Sequence, residues 1–392
     1  MIGLVLCYKG TNFGMMLQAY ATVKYLNSIG YETEIIDYAP VQRNSNYIKK
    51  ARWIFNRDVV RSKMVAMKRK MMLKKHHDIA LVHKLRAEGN RRFILEHMGR
   101  THRFLSIEDL HIKSSNYSAV IVGSDQQWNP GTIYSSINTL MFASKGITRI
   151  SYATSFGISK ISRSAQKRAK EFLSQIDFLS VREETGKNII YDVCNRDALV
   201  TVDPTFLLTE EEWASNLGDI FNPLVKGDYI LTYFLGGNGW HRNEVKELKQ
   251  SANMKIVSIK NIESYCIEDS LFADSEMDVK TPFEFLNLIK NAKYVCTDSF
   301  HGTIFSIIFN ISFFTFFRYK DSDKNSRNSR ITDFLKRIGM DDRIIIEKHT
   351  IKNIFEEIPD FNEAMRIIGA NREESRRFIQ EALKKGDSLE KY

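Results

Sequence analysis

The sequence predicts an α/β protein built from two parallel-sheet domains. Residues 2–8 form an apolar run, residues 15–29 have a helical pattern that ends at Gly30, and a second apolar run follows at 34–38. A strand, a helix and a strand in this order are typical of a parallel sheet. The chain has 392 residues. Because this exceeds what one hydrophobic core usually supports, we expect two such domains.

The remaining elements continue the same alternation. In the first half we predict strands at 119–123, 149–154, 178–182 and 198–202, and a helix at 162–173. Asp203 and Pro204 interrupt the pattern, and strands resume at 229–234, 255–259, 293–296 and 313–317. We therefore predict a first domain at 1–205, a second at 206–350 and a helical tail at 351–392.

The positive charge is concentrated in one segment. The net charge is +10, yet residues 49–103 alone contain seventeen Lys or Arg and four acids, with methionines and other apolar residues among them. This pattern predicts a basic, helical insertion at about 45–112. It fits either a solvated helical surface or attraction to an anionic partner, such as phospholipid headgroups, a diphosphate-lipid carrier or an acidic glycan. No nucleic-acid-binding signature accompanies the charge, so we expect no nucleic acid partner.

The cysteines and the apolar runs limit the class of protein. The four cysteines (Cys7, Cys194, Cys266 and Cys296) are dispersed without a CxxC pair, which predicts reduced thiols rather than disulfides or a metal site. No HExxH or paired-carboxylate motif occurs, so no metal is expected. The chain begins as a strand without a basic leader, and no apolar run reaches about 18 residues. We expect a cytoplasmic protein without a membrane span.

Two segments after first-half strands carry candidate binding groups. Asn12 and Gly14 lie where a strand hands over to a helix, so this turn either receives an anion or a sugar oxygen or is simply a tight turn. Residues 123–129 combine Asp125, Gln126, Trp128 and Asn129 directly after a buried strand. Carboxylate and amide groups suit sugar hydroxyls, and an indole suits the apolar face of a pyranose. The alternative is a capped turn with a core tryptophan.

Three cationic residues lie at comparable positions. Arg182 ends a predicted strand, where its planar fork would bind a carboxylate or phosphate, or would pair with neighbouring glutamates. His301 follows a second-half strand at the start of an apolar helix, which fits either an anion site or a helix cap. Arg330 follows a polar loop at 320–329, which fits a lid over an anionic substrate or an ordinary connection.

Taken together, these segments resemble the polysaccharide pyruvyl transferase family, in the same order from residue 1 to about residue 340. The similar stretches are NFGMMLQA (12–19), VGSDQQWN (122–129), SYATSFG (151–157), SVRE (180–183), VDPTF (202–206) and TDSFHGT (297–303). The resemblance implies a fold similar to the glycosyltransferase B class, with two Rossmann-like domains facing a cleft. The first domain would bind the acceptor and the second the donor.

The resemblance also implies a reaction. It predicts an enzyme that moves the enolpyruvyl group of phosphoenolpyruvate onto a hydroxyl pair of a sugar, galactose being the expected one, as a pyruvate ketal in bacterial surface polysaccharide biosynthesis. No cofactor is expected. The acceptor glycan would be carried on a lipid diphosphate or be a finished polymer. The basic insertion, rather than the resemblance, is the reason to expect peripheral contact with an anionic membrane at its inner face.

The family holds its donor with an arginine that maps to Arg182 and with an Arg-Leu-His triplet that maps to Ser299-Phe300-His301. Serine replaces the arginine of the triplet, so we expect Arg330, Arg318 or Lys320 to supply the missing charge. We predict donor contacts from Arg182, Ser299, His301, Gly302, Thr303 and Arg330, with His301 as phosphate ligand or general acid and Asp125 as the base. The predicted acceptor contacts are Asn12, Gln18, Asp125, Gln126, Trp128 and Asn129.

Two other functions remain open at this point. The same architecture hosts glycosyltransferases that use nucleotide-sugar donors, and fold alone does not choose between these reactions. A non-catalytic glycan-binding protein would also carry the amide and indole groups. Pyruvylation consumes phosphoenolpyruvate, glycosyl transfer releases a nucleotide, and a binding protein does neither.

Overall fold

Two parallel sheets with helices on their faces make up the protein. A computed structural model describes residues 1–40, 57–217, 222–319, 328–348 and 351–389. Within these ranges one sheet has seven strands and the other has six. The predicted fold class, two parallel-sheet α/β halves, is confirmed.

The first sheet has the strand order β3-β2-β1-β4-β5-β6-β7, and all of its neighbouring strands are parallel. Its order reverses between β1 and β4, which is where ligands bind in open sheets of this kind. The strands are β1 Ile2–Val5, β2 Thr33–Tyr38, β3 Arg100–Phe104, β4 Ala119–Asp125, β5 Thr148–Thr154, β6 Phe178–Val181 and β7 Leu199–Val200. The helices of this half are α1 Phe13–Ser28, α2 Arg57–Lys75, α3 His77–His97, α4 Ile107–Ser114, α5 Arg163–Leu173 and α6 Glu184–Cys194.

The second sheet repeats the pattern with the order β10-β9-β8-β11-β12-β13, so its reversal lies between β8 and β11. The strands are β8 Tyr229–Tyr233, β9 Lys255–Ile259, β10 Ser275–Met277, β11 Tyr294–Thr297, β12 Ser312–Phe316 and β13 Ile344–Ile345. The remaining helices are α7 Glu210–Leu217, α8 Gly239–Ala252, α9 Asp269–Phe272, α10 Pro282–Lys290, α11 Phe300–Ile308, α12 Ser329–Arg337, α13 Ile351–Ile354 and α14 Phe361–Leu389, with 3-10 turns at Pro204–Leu207 and Asp341–Arg343.

The predicted basic helical insertion at about 45–112 covers most of the connection between β2 and β3 and also includes β3 itself, so one part of it is a strand. Residues 45–56 lie outside the described ranges. Helices α2 and α3 follow, but residues 100–104 form β3, the edge strand of the first sheet. Only Phe104 of this strand is buried, and its other residues are mostly polar and exposed. An edge strand with so little buried surface has no apolar run to reveal it in the sequence.

Helix α1 joins the two halves. Twelve of its sixteen residues are buried, because it lies between first-half and second-half elements. The Phe13 ring stacks on Phe285 of α10 at 5.2 Å, and the Tyr20 ring lies 5.6 Å from that of Trp213. These side chains belong to one apolar core that runs from one sheet to the other. A helix buried on most of its sides is expected to be largely apolar, as α1 is.

Helix α3 also crosses the joint, through a buried arginine. Arg86 donates from Nε to the Val279 carbonyl at 3.0 Å and from Nη2 to the Lys260 carbonyl at 3.1 Å. Its guanidinium carbon lies 4.6 Å from the centre of the Phe13 ring. One side chain of the first half therefore satisfies two backbone carbonyls of the second half.

The long C-terminal helix α14 returns to the first half. The Ser375 hydroxyl accepts a hydrogen bond from the Val202 amide at 3.0 Å, and Arg372 donates to the Phe206 carbonyl. The helix thus covers the segment in which the chain passes from one sheet to the other.

Three expectations about chemistry and membranes can be compared with the described residues. All four cysteines are free thiols. Within the described ranges no group of three or more His, Cys, Asp or Glu side chains could hold a metal ion. No helix in those ranges combines the length and the apolar character that a membrane span requires.

Candidate active site

A cluster of charged side chains lies where the two halves meet. Asp125 ends β4, Arg182 directly follows β6, and Asp203 follows β7, so all three come from carboxyl ends of first-sheet strands. His301 and Arg330 come from the first turns of α11 and α12 in the second half. The parallel sheets explain this convergence, because the carboxyl ends of parallel strands share one edge.

Arg182 is the centre of this cluster. Its Nη1 donates to Asp203 Oδ2 at 2.7 Å, Nη2 lies 3.5 Å from Asp125 Oδ1, and Nε lies 3.6 Å from Glu183 Oε2. Burial lowers the pKa of Arg182, but the carboxylates of Asp203, Glu183 and Asp125 outweigh burial and raise it. The guanidinium therefore remains charged.

Asp203 links the two halves. Its Oδ1 accepts hydrogen bonds from the amide and hydroxyl of Thr205, whereas Oδ2 accepts from Arg182 and lies 3.6 Å from His301 Nε2. Burial alone would raise the pKa of Asp203, but His301 and Arg182 outweigh it and hold the pKa well below its usual range. This carboxylate is therefore ionised and has partners from both halves.

Asp125 connects the two arginines. Its Oδ1 lies 3.5 Å from Arg182 Nη2 and 3.7 Å from Arg330 Nη1. Its backbone is left-handed, with φ at 66°. Burial raises the pKa of Asp125, but Arg182, Arg330 and His301 together lower it further than burial raises it. A carboxylate with a lowered pKa is a weak general base, so the predicted base role is not favoured while both arginines are in place.

Phe300 positions the two guanidiniums. The guanidinium carbons of Arg182 and Arg330 lie 4.5 and 5.5 Å from the centre of the Phe300 ring, within reach of cation–π attraction. The side chains of Arg182, His301, Arg330 and Asp125 are 3, 8, 13 and 19% exposed. The cluster is therefore most accessible to solvent at Arg330 and Asp125.

Gly14 and His301 are in direct contact across the joint. A Cβ atom on Gly14 would lie 2.2 Å from Cγ and Nδ1 of the His301 ring, closer than real Cβ contacts. Only glycine lets the imidazole lie against the start of α1. The first and last of the motifs, at 12–19 and 297–303, therefore interlock, which explains the glycine in the first of them.

Two predicted acceptor residues are structural, which corrects the sequence interpretation. Trp128 is fully buried between Phe156 and Phe172 and donates from Nε1 to the Asn138 carbonyl at 3.0 Å, so no sugar can reach its indole face. Gln18 is also fully buried. Its amide donates to the carbonyls of Cys7 and Met15 and accepts from the Ser124 amide at 3.3 Å. It ties the loop after β1 to β4.

Three of the residues predicted to contact the donor also have structural roles. The Ser299 hydroxyl caps α11 by accepting from the Gly302 amide at 3.3 Å. The Thr303 hydroxyl is buried and lies 2.7 Å from that of Thr315. A Cβ atom on Gly302 would lie 2.6 Å from Thr297 Oγ1, so glycine permits α11 to pack on β11. Ser299, Gly302 and Thr303 therefore have structural roles, and their contact with a donor stays a prediction.

The other predicted acceptor residues lie at strand ends without joining the charged cluster. Asn12 caps α1 by accepting from the Met15 amide at 3.0 Å, and Asn129 accepts from the Gly131 amide at 3.1 Å. Gln126 is partly buried beside Gly157. The sequence motifs located this edge of the sheet, but these two asparagine side chains stabilise its turns.

Two clefts open at the same edge, beside β1 and β2. One of about 330 Å³ is lined by Cys7, Lys9, Asp37, Gln127 and Asn138 among others, and one of about 520 Å³ by Tyr8, Lys9, Asn90, Arg91 and Leu95 among others. Lys9 and Asp37 form an ion pair that borders both clefts.

The contributions of Asp203 and Phe300 were not predicted from the sequence, whereas the pairing of Arg182 with a neighbouring glutamate was one of the two alternatives. An acid directly after an apolar strand, the signal that identifies Asp125, also marks Asp203. Of the residues expected to replace the missing arginine, Arg318 donates to the Asp298 carbonyl at 2.9 Å, and Lys320 lies outside the described ranges. Arg330 is the one that shares a carboxylate with Arg182.

The family model described as Polysaccharide pyruvyl transferase matches residues 12–322. This confirms the resemblance drawn from the motifs. Among curated proteins, none matches the sequence closely enough to count as a relative.

Several solved structures are similar in fold. UDP-N-acetylglucosamine 2-epimerase from Rickettsia bellii is 12% identical, with 98% of this chain and 97% of that chain covered and a TM-score of 0.53. The Neisseria meningitidis UDP-GlcNAc 2-epimerase bound to UDP-GlcNAc is 9% identical, covers 98% and 100%, and has a TM-score of 0.52. Arabidopsis thaliana UGT89C1 complexed with UDP-L-rhamnose is 10% identical, covers 98% of each chain, and has a TM-score of 0.52. At such identities the likeness shows the fold alone, which is the two-domain glycosyltransferase B arrangement.

Gly14→Ala should destabilise the protein by about 1–3 kcal/mol, because the new methyl group overlaps the His301 ring. Urea denaturation followed by circular dichroism measures the loss. Gly369→Ala in α14 is the matched control, since its Cβ would meet nothing within 4 Å. That change should be neutral or stabilising, as expected for alanine in a helix. Equal effects of the two substitutions would contradict the close contact.

Asp203→Asn should lower the free energy of unfolding by about 3–5 kcal/mol at pH 7, because it leaves the buried Arg182 without its nearest carboxylate. The folded pKa of Asp203 is lowered, so its stabilisation is complete above the ordinary carboxyl pKa of about 4 and is lost as the pH falls below that value. The difference between wild type and variant should therefore shrink below about pH 4.

Denaturation curves at a series of pH values measure this difference. Asp192→Asn on the exposed surface of α6 is the control and should change stability by less than about 0.5 kcal/mol. A penalty for Asp203→Asn that stays constant into acid would show that its charge does not matter.

Proposed function

Because this chain belongs to the polysaccharide pyruvyl transferase family, we propose that it transfers the enolpyruvyl group of phosphoenolpyruvate to two hydroxyls of a sugar, forming a pyruvate ketal. The observation that carries the proposal is the convergence of Arg182, Arg330 and His301 from both halves at one point. Phosphoenolpyruvate has a phosphate and a carboxylate, and guanidinium groups bind both bidentately.

Arg330 takes the place of the arginine that the family has at the position of Ser299. Ser299 is occupied as a helix cap, whereas Arg330 reaches the same Asp125 oxygen as Arg182. Two guanidiniums that lie near the same carboxylate oxygen are close enough together to bind one small dianion. Arg182 and Arg330 thus form the clamp for the donor.

The donor takes over the arginines from Asp125. In the structure Asp125 lies near both guanidiniums and its pKa is lowered by them. When the phosphate and carboxylate of the donor neutralise the arginines, the cause of this lowering disappears and the pKa of Asp125 rises. Asp125 then becomes a stronger base, so proton abstraction from the acceptor hydroxyl is confined to the donor complex.

His301 acts as the proton donor to the substrate. Its Nε2 lies 3.6 Å from the Asp203 carboxylate, which orients the ring. A proton moves to C3 of the donor, which leaves an oxocarbenium-like centre at C2. One sugar hydroxyl adds to C2 and gives its proton to Asp125, which balances the proton that His301 lost to C3. The second hydroxyl then adds to C2 as the bond between C2 and the phosphate oxygen breaks, and the proton of this hydroxyl leaves on the phosphate.

The acceptor occupies the two clefts beside β1 and β2. Their polar lining includes Lys9, Asp37, Asn90, Gln127 and Asn138, which suit sugar hydroxyls. These residues replace the buried Trp128 and Gln18 in the set of acceptor contacts. Galactose as the sugar, a lipid-linked acceptor and a role in bacterial surface polysaccharides are parts of this proposal.

The function is tested by incubating the purified protein with phosphoenolpyruvate and galactosides. We expect phosphate release together with a product heavier by one pyruvate ketal in mass spectrometry. His301→Ala should lower turnover by at least about a hundredfold, since it removes the proton donor. Release of a nucleotide from a nucleotide-sugar donor, without consumption of phosphoenolpyruvate, would establish a glycosyltransferase instead.

Arg330→Gln and Asp125→Asn should change donor binding in opposite directions. Arg330→Gln removes a cation and should weaken phosphoenolpyruvate binding by about tenfold to a hundredfold. Asp125→Asn removes the competing carboxylate, so it should bind the donor at least as tightly as wild type while losing turnover. Isothermal titration calorimetry measures both affinities.

Lys336→Gln is the matched control for Arg330, because it removes an exposed positive charge from the same helix. It should leave donor affinity unchanged. Weaker donor binding by Asp125→Asn would show that Asp125 supports the donor rather than competing with it.

A further inference from the structure

Helix α2 exposes an apolar stripe with lysines on the same face. The side chains of Met64, Met67 and Met71 are 49, 56 and 54% exposed. Residues spaced by three, four and seven lie on one side of a helix. Lys68, Lys74 and Lys75 are exposed and share that side. Single exposed apolar residues are ordinary, but three on one face of a helix, with lysines beside them, mark an interaction surface.

The opposite side of α2 is anchored to the rest of the protein, so the apolar stripe faces away from it. Arg69 Nη2 donates to Thr11 Oγ1 at 2.9 Å and to Glu263 Oε1 at 2.8 Å, which joins α2 to both halves. The His76 ring stacks on Tyr265 at 4.1 Å, and Met72 and Leu73 pack against a small apolar cluster around Ile262. The methionine and lysine face therefore points away from both sheets.

We propose that this face of α2 docks on the surface of an anionic phospholipid bilayer. The helix carries eight basic residues and one acidic residue over Arg57–Lys75. Lysine heads bind headgroup phosphates while their stems lie along the interface, and flexible methionine side chains enter the layer below. A bilayer satisfies both features at once, whereas a purely polar polyanion would leave the methionines in water.

Docking on a bilayer would also help the enzyme to reach a lipid-linked acceptor. Arg69 contacts Thr11, whose neighbour Gly10 lines the cleft of about 520 Å³. The same cleft is lined by Leu95, which is 74% exposed, and by Arg91. Docking would hold the protein at the bilayer, where a lipid-linked acceptor lies, with this cleft beside the anchored side of α2. That purpose rests on the proposed function, but the membrane binding itself does not.

The test is flotation of the full-length protein with vesicles, without any substrate. We expect binding to vesicles of equimolar phosphatidylcholine and phosphatidylglycerol, little binding to phosphatidylcholine alone, and a steep decrease as salt is added. Reversing three charges of the face (Lys68→Glu, Lys74→Glu and Lys75→Glu together) should weaken binding by at least about tenfold. Met67→Ser with Met71→Ser should remove the part of the binding that survives at high salt.

Matched variants elsewhere separate this face from general effects of charge and apolar surface. Arg163→Glu, Lys167→Glu and Lys170→Glu on the exposed face of α5 change the net charge equally and should keep most of the binding. Ile267→Ser with Leu271→Ser removes two other exposed apolar side chains and should have no effect. Equal melting temperatures show that each variant is folded.

Three results would overturn the proposal. The first is a wild type that ignores anionic vesicles at low salt. The second is an equal loss of binding in the α5 charge variant, which would reduce the effect to net charge. The third is a wild type that forms a dimer in light scattering, ignores vesicles and becomes monomeric in the α2 variants, which would make this face a contact between two copies of the chain. An inactive protein that still binds vesicles in this pattern would disprove the proposed function and leave the docking intact.

Discussion

The buried Asp203 carboxylate is the group on which the joint between the two halves depends. A carboxylate removed from water needs positive or hydrogen-bonding partners, because leaving it unpaired costs several kcal/mol. Asp203 takes Arg182 from its own half and lies beside His301 from the other. The second half therefore adds a further cationic neighbour to a carboxylate that already has hydrogen-bond partners in Arg182 and Thr205. The close approach of His301 to Gly14 extends the same constraint to the start of α1.

The packing around this ion cluster makes the joint part of the protein core. Helix α1 is buried between elements of both halves, and Arg86 of α3 hydrogen-bonds two carbonyls of the second half. Such contacts set the position of one sheet edge relative to the other. As a result, cations from separate strands and helices meet without being neighbours in the chain. The site owes its geometry to core packing, and its chemistry to the few polar groups that this packing encloses.

Several motif residues serve the fold rather than a ligand, and this is physically reasonable. A segment that ends a strand at the edge of the sheet must also cap the next helix and fill the core below it. Trp128 fills the core, Ser299 caps α11, and Gln18 ties two loops together. Residue types that suit sugars, such as amides, hydroxyls and indoles, are the same types that stabilise turns. The type of residue alone therefore does not separate the two roles.

The sequence by itself determined the α/β class, most of the strands and the family, and it singled out Asp125, Arg182, His301 and Arg330, which the structure brings together. These features depend on local periodicity, on strand ends and on short motifs, all of which can be read from the sequence. Only the tertiary structure decided that Trp128 is buried, that β3 is an edge strand, that Asp203 joins the two halves, and that both arginines meet at Asp125. The physical reason is that burial and ion pairing depend on distances between residues far apart in sequence. Those residues come within contact distance only after the two sheets have packed around α1.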